Sequence, residues 1–268
     1  MNPIVNAIIG ISLIFLCTTI GSSFVLFFKG KSISPKLNRV FLGFAAGIML
    51  SASVFSLIVP ALNTEVDYLP TYVIVPLSVI LGAAFLWGID KLTPHFHPIS
   101  EEEEGLRNAH ISKTMKMFMA VTIHNVPEGL SVGIAYGVAL AAFASNSDSA
   151  AGLLTGALML AIGIGIQNIP EGAVVALPFA SQVGTKKAFG LGTMSGAVEP
   201  IAAVAGLFLA LFIQPIMPYA LSFAAGCMLY VIAEEMIPDL QANAKSHEGV
   251  WSFILGFALM LVLDTALG

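Results

Sequence analysis

His124, Asn125 and Glu128 stand in the string His-Asn-Val-Pro-Glu-Gly, and Gln167, Asn168 and Glu171 stand in Gln-Asn-Ile-Pro-Glu-Gly, 43 positions further on. Both strings interrupt long apolar runs. On a helix, residues four apart lie about 40° apart, so His124 and Glu128 share a face with Asn125 at its edge. Gln167 and Glu171 share another with Asn168 beside them. Each glutamate follows a proline. Pro127 cannot donate to the carbonyl of Ile123, nor Pro170 to that of Ile166, which predicts a kink and a freed carbonyl in each helix. Imidazole nitrogen, carboxylate oxygen and amide oxygen are ligands for divalent cations. Ionisable groups are expensive in hydrocarbon and mark functional sites there, and broken backbone at that depth is tolerated only where it is buried in protein or lines a cavity.

Further acids join these two faces. Glu199-Pro200 repeats the acid–proline juxtaposition in reversed order, Glu234 and Glu235 are adjacent near the end of a later run, and Asp90 ends an earlier one. Glu128, Glu171 and Glu199 lie mid-run with no Lys or Arg at the same depth, so a cation or protons must balance them. Metal loading and protonation of such packed carboxylates compete. Blander readings apply elsewhere. Asn125 alone would serve as glue between helices, and Met49 alone is a core methionine. Asp264 reads as an end-of-helix polar group. The run Glu101 to Glu104 reads as a solvated loop, with His95, His97 and His110 near enough to make it a second place for weak metal capture.

The chain that positions these groups has 268 residues, 57% hydrophobic and 10% charged. Soluble domains carry about 25% charged residues, so this composition predicts an integral membrane protein. The net charge of -5 gives no reason to expect a nucleic-acid partner. Helices that cross a bilayer need about 20 apolar residues. That ruler yields eight spans, roughly 4–28, 40–62, 72–92, 114–140, 151–178, 188–213, 217–238 and 250–267. Pro60 is expected to close the second. The first has no basic n-region and is long enough to span, so it does not read as a cleavable signal. All eleven basic residues fall in or beside alternate loops: Lys29, Lys31, Lys36 and Arg39; Lys91, Arg107, Lys113 and Lys116; Lys186 and Lys187; and Lys245. The positive-inside rule puts those loops in the cytoplasm and both termini outside. Cys17 and Cys227 sit in apolar runs and behave as small hydrophobes. Gly43 and Gly47, Gly152, Gly156, Gly163 and Gly165, and Gly190, Gly192 and Gly196 predict close helix packing.

The strings HNVPEGLSVG, QNIPEGAVVALP, AVEP and EEMIPD, together with FAAGIMLSASVFSLIVP, IDKLTPHFH and the ending LDTALG, resemble the ZIP (Zrt/Irt-like) family of divalent-metal transporters, in particular its prokaryotic branch. The resemblance extends over essentially the whole chain, as a single transmembrane transporter domain with a cytoplasmic loop at about 93–113. It implies an all-α fold of eight transmembrane helices, N-out and C-out, with helices two, four, five and seven enclosing the pathway, often in a homodimer in the cell inner membrane. It implies a binuclear metal centre between the fourth and fifth spans. One ion would take His124, Glu128, Gln167 and Glu171, with Met49 beside it. The other would take Asn125, Asn168, Glu128, Glu171 and Glu199. Asp90, His95, His97 and Glu235 match the family's cytoplasmic exit, and Asn63 its outer entrance.

The chain departs from the family pattern where Gln167 replaces a common His, where Asn168 replaces an Asp of some relatives, and where Glu234-Glu235 replaces His-Glu. Amide or carboxylate in place of imidazole moves the site toward harder oxygen ligation, and neutral Asn168 implies a weaker second position. The expectation is a non-enzymatic transporter carrying Zn²⁺, with Cd²⁺, Fe²⁺ and Mn²⁺ as further candidates, into the cytoplasm as substrate rather than cofactor. A membrane-embedded metalloprotease would need an open coordination position with a base, as in H-E-x-x-H, and that string is absent. In a proton-coupled carrier of organic cations the acids would serve as proton relays, but amide–carboxylate clusters suit an ion better than a bulky solute.

Overall fold

A computed structural model describes residues 2–27, 34–64, 66, 69–93, 95–96, 103–104, 113–212, 217–241 and 247–267. Eight helices in it are long and apolar enough to cross a membrane: α1 (Pro3–Phe27), α2 (Pro35–Leu62), α3 (Thr71–Leu92), α4 (Lys113–Ala144), α5 (Ala150–Val183), α6 (Thr185–Leu211), α7 (Met217–Gln241) and α8 (Glu248–Ala266). Each overlaps the stretch expected from hydropathy, with ends that agree to within a few residues. Among the described residues the only strands are β1 (His95–Phe96) and β2 (Glu103–Glu104), which pair antiparallel with His95 opposite Glu104. Part of the loop expected to be merely solvated therefore forms a short ladder.

The helices pair tightly as α1 with α5, α4 with α6, α2 with α8 and α3 with α7. The members α2, α4, α5 and α7 then meet one another in the middle, α4 against α5 and α7, and α2 against α5 and α7. Their apolar stretches are 56, 67, 56 and 61% buried, against 39, 28, 39 and 22% for α1, α3, α6 and α8. The inner four are those that carry most of the polar motifs. The outer four turn large side chains such as Phe27, Tyr72, Ile201 and Trp251 outward, as lipid contact requires.

Glycines set the closest pairings. A Cβ at Gly129 would strike the backbone of Glu199, and one at Gly21 would strike the carbonyl of Ile169, so α4/α6 and α1/α5 meet backbone to backbone beside the polar strings. The packing expectation holds at Gly43, Gly47, Gly163, Gly192 and Gly196. It fails at Gly152, Gly156 and Gly190, where a Cβ would meet nothing. Gly184 alone links α5 to α6, at φ 80°, a conformation that suits glycine.

Pro127 and Pro170 lie inside continuous helices, each without a backbone donor for the carbonyl four residues before it. A break in the helix falls in α6, at Ala197 between Thr185–Gly196 and Val198–Phe212, just before Glu199-Pro200. Pro60 does not end α2, which runs on to Leu62. π-Helical turns at Ala52–Ile58 and Ile232–Met236 each precede a proline by two positions, Pro60 and Pro238. A proline ring crowds the preceding turn and withdraws a donor, and a widened turn accommodates both. A third π turn, Leu263–Leu267, ends α8 and carries Asp264.

Candidate metal centre

Mid-bundle, α4 and α5 bring their two strings face to face. Gln167 Nε2 donates to Glu128 Oε1 at 2.6 Å. Asn168 Nδ2 donates to Glu199 Oε2 at 3.0 Å, and Thr18 Oγ1 of α1 donates to Glu199 Oε1 at 2.6 Å. Asn125 Nδ2 donates to the carbonyl of Ser195 at 3.1 Å, next to the interruption in α6. Glu128, Gln167, Asn168 and Glu199 are at most 1% exposed. Neither Glu128, Glu171 nor Glu199 pairs with a Lys or Arg among the described residues.

Three buried oxygens in this group accept nothing: Glu128 Oε2, Gln167 Oε1 and Glu171 Oε2. A buried acceptor without a donor costs about 1–3 kcal/mol, more when charged, and these three come from the adjacent helices α4 and α5. Two carboxylates and an amide carbonyl are hard oxygen ligands.

His124 stands at the edge of this group, lining the same cavity as Glu171. Its Nε2 makes a direct contact with Glu235 Oε1 on the π turn of α7. Ligand atoms of Asp90, His124 and Glu235 all lie within 4.8 Å of one another, and Tyr230 donates its hydroxyl to Asp90 Oδ2 at 3.2 Å. Thus Asp90 and Glu235 come together, with His124 as a third member. Glu234, the neighbour of Glu235, is exposed. The backbone of His95 lies in β1, and His97 lies outside the described residues.

A cavity of about 100 Å³ connects these groups to one end of the bundle. His124, Glu171, Met49, Glu235 and Asp239 line it. Met49 is 1% exposed and belongs to this wall. Toward the other end a cavity of about 210 Å³ lies among α2, α4, α5, α7 and α8, and Gly152, Gly156, Ser56 and Asp264 are part of its lining. That explains why Gly152 and Gly156 have open space. Asp264 is therefore more than an end-of-helix polar group: Ser56 Oγ donates to its Oδ1 at 2.5 Å, and its Oδ2 is buried with no donor. Asn63 caps α2 at the same end and is exposed.

Thr18, Ser195, Ser56 and Tyr230 were not among the expected site residues. Thr18, Ser56 and Tyr230 act through their hydroxyls and Ser195 through its backbone carbonyl, and only the placement of each helix gives it a role. Asp264 carried a signal, a carboxylate within an apolar stretch.

An all-helical membrane protein whose inner four helices hold a buried set of carboxylate, amide and imidazole ligands belongs among membrane metal-handling proteins. Residues 99–264 match the family model described as ZIP Zinc transporter. Zinc transporter ZIP11 of Xenopus tropicalis is 31% identical, over 100% of this chain and 98% of its own. Zinc transporter ZIPB of Bordetella bronchiseptica is 33% identical over 98% of this chain and 81% of its own. Zinc transporter GufA of Myxococcus xanthus is 34% identical, covering 89% and 90%. The chain belongs to the ZIP family, a family of membrane transporters and not of enzymes.

Proposed function

We propose that this protein carries divalent transition-metal ions, Zn²⁺ first and Cd²⁺, Fe²⁺ or Mn²⁺ as further substrates, into the cytoplasm. The observation that supports it most is the set of orphaned oxygens on Glu128, Gln167 and Glu171. Those residues are the first ion's ligands, with His124 joining by a side-chain rotation away from Glu235. Asn125, Asn168 and Glu199, with the two bridging glutamates, form the second position of a binuclear centre. That position is the weaker one, since Asn168 brings no charge.

The ion enters along the cavity that carries Asp264 and leaves along the one that carries Glu235, where Asp90, His95 and His97 receive it. His124 reaches both groups, so it hands the ion from the centre to the exit. The alternate distribution of basic residues supports a cytoplasmic exit and two extracytoplasmic termini. Inward flux, a homodimer in the cell inner membrane and a single transporter domain rest on the family resemblance.

The test is influx into liposomes holding a metal-sensitive dye, comparing the wild type with Glu128→Ala and Glu171→Ala. Wild-type influx should exceed that of empty liposomes, and both variants should fall to the empty-liposome rate. Equal influx with and without wild-type protein would sink the proposal.

A further inference from the structure

Glu199 differs from the two carboxylates beside it. It is 0% exposed, yet both of its oxygens take protein donors, Oε1 from Thr18 at 2.6 Å and Oε2 from Asn168 at 3.0 Å. Glu128 and Glu171 each keep one buried oxygen with no donor. A hydroxyl-to-carboxylate bond at this distance is of the strong, charge-assisted kind. It also crosses between helices far apart in sequence, from α1 to α6, and lands in the first turn past the interruption at Ala197.

The surroundings are shaped around that bond. Gly196 lies against it: a Cβ there would fall 2.7 Å from Thr18 Cγ2 and 3.2 Å from Glu199 Oε1. Any side chain at 196 would press on both partners. Thr18 Oγ1 also lies 3.2 Å from the Ile14 carbonyl, and Asn168 Nδ2 reaches that same carbonyl at 3.4 Å. The two donors that hold Glu199 thus both lie against the Ile14 carbonyl of α1, and the single Thr18 hydroxyl hydrogen points to the shorter contact, with Glu199. Without the hydroxyl, the carboxylate next to the helix break would have one holder instead of two.

We propose that Thr18 is a positioning residue for the second cation. By holding Oε1, it fixes the Glu199 carboxylate with Oε2 on the Asn168 side, where the second ion would bind, and Gly196 makes the room. This rests on the reading of Glu199 as a ligand of that ion. Hydrogen-bonded partners of ligating carboxylates typically change metal affinity by about 10–100-fold when removed.

The test uses the purified full-length chain in detergent and equilibrium dialysis against Cd²⁺, comparing wild type, Thr18→Val, Thr18→Ser, Gly196→Ala and Glu199→Gln. The wild type should bind a tighter and a weaker ion, and Glu199→Gln should remove the weaker. Thr18→Val, of equal shape but without the hydroxyl, should weaken the second ion about tenfold or more and leave the tighter one unchanged. Thr18→Ser should restore it. Gly196→Ala should copy Thr18→Val, and carries the comparison if that variant does not fold. Unchanged second-ion affinity in Thr18→Val, equal weakening of both ions, or no rescue by serine would overturn the role of Thr18. If Glu199→Gln removes the weaker ion while Thr18→Val does not, only the Thr18 proposal fails. If Glu199→Gln changes neither affinity, or the wild type binds one ion, the Glu199 assignment falls with it, while the Glu128–Glu171 site stands.

Discussion

Gln167 Nε2 donates to Glu128 Oε1 at 2.6 Å across the interface of α4 and α5, and leaves Gln167 Oε1 and Glu128 Oε2 as buried acceptors without donors. The amide thereby does two things. It holds the carboxylate in place, and it keeps a neutral oxygen free of protein donors beside it. A histidine at 167 would offer nitrogen there instead. Gln167→His should shift competition toward Zn²⁺ over Mn²⁺ by about tenfold, because imidazole suits zinc better than manganese. Dye-loaded liposomes with the two metals in competition measure this, and an unchanged preference would refute the account of the amide.

His124 and Glu235 should behave as one unit. Their direct contact joins α4 to the π turn of α7. In a double-mutant cycle with His124→Ala and Glu235→Gln, the combined effect on thermal stability should differ from the sum by roughly 0.5–3 kcal/mol, as for residues in contact. Strict additivity would mean that the pair contributes nothing.

Acid should slow transport. Glu128, Glu171 and His124 must each be free of a proton to bind a cation, whereas Gln167 and Asn168 need lose none. The sign follows directly: protons and metal compete, so apparent affinity falls as pH falls. At fixed free metal, initial influx should drop steadily between roughly pH 7 and roughly pH 5. Influx that rises with acid on the metal side would contradict it.

Two glycines in the same chain should respond oppositely to one methyl group. At Gly129 a Cβ meets the backbone of Glu199, and at Gly190 it meets nothing. Gly129→Ala should cost about 1–3 kcal/mol through overpacking and push Glu199 off its donors. Gly190→Ala should be neutral or stabilising by up to about 1 kcal/mol, as expected for alanine in a helix. Thermal unfolding of the two variants in detergent compares them.

Much of this architecture was legible before any coordinates. Spans and their order follow from apolar length, a constraint so strong that the eight helices match the expected stretches to within a few residues at their ends. Glu128, Glu171 and Glu199 announced themselves because carboxylates in hydrocarbon are costly. Other features depend on rotation and tertiary placement. Glu234 and Glu235 are adjacent, and only the π turn at Ile232–Met236 decides that Glu235 faces His124 while Glu234 is exposed. Asp264 became part of a cavity wall only once α8 packed on α2 and set it beside Ser56. Thr18 is invisible in the sequence, since a threonine in an apolar helix commonly bonds its own backbone. The break in α6 at Ala197 had no signal of its own beyond the nearby Glu199-Pro200, whereas Pro127 and Pro170 lie inside continuous helices.

The central claim is that a divalent cation binds between Glu128, Gln167 and Glu171. Anomalous diffraction from crystals of the wild-type chain soaked in Cd²⁺ locates such an ion directly. The account predicts a peak within ligating distance of the oxygens of those three residues, absent from Glu171→Ala. A peak confined to Asp90 and Glu235, or density that persists unchanged in Glu171→Ala, would contradict it.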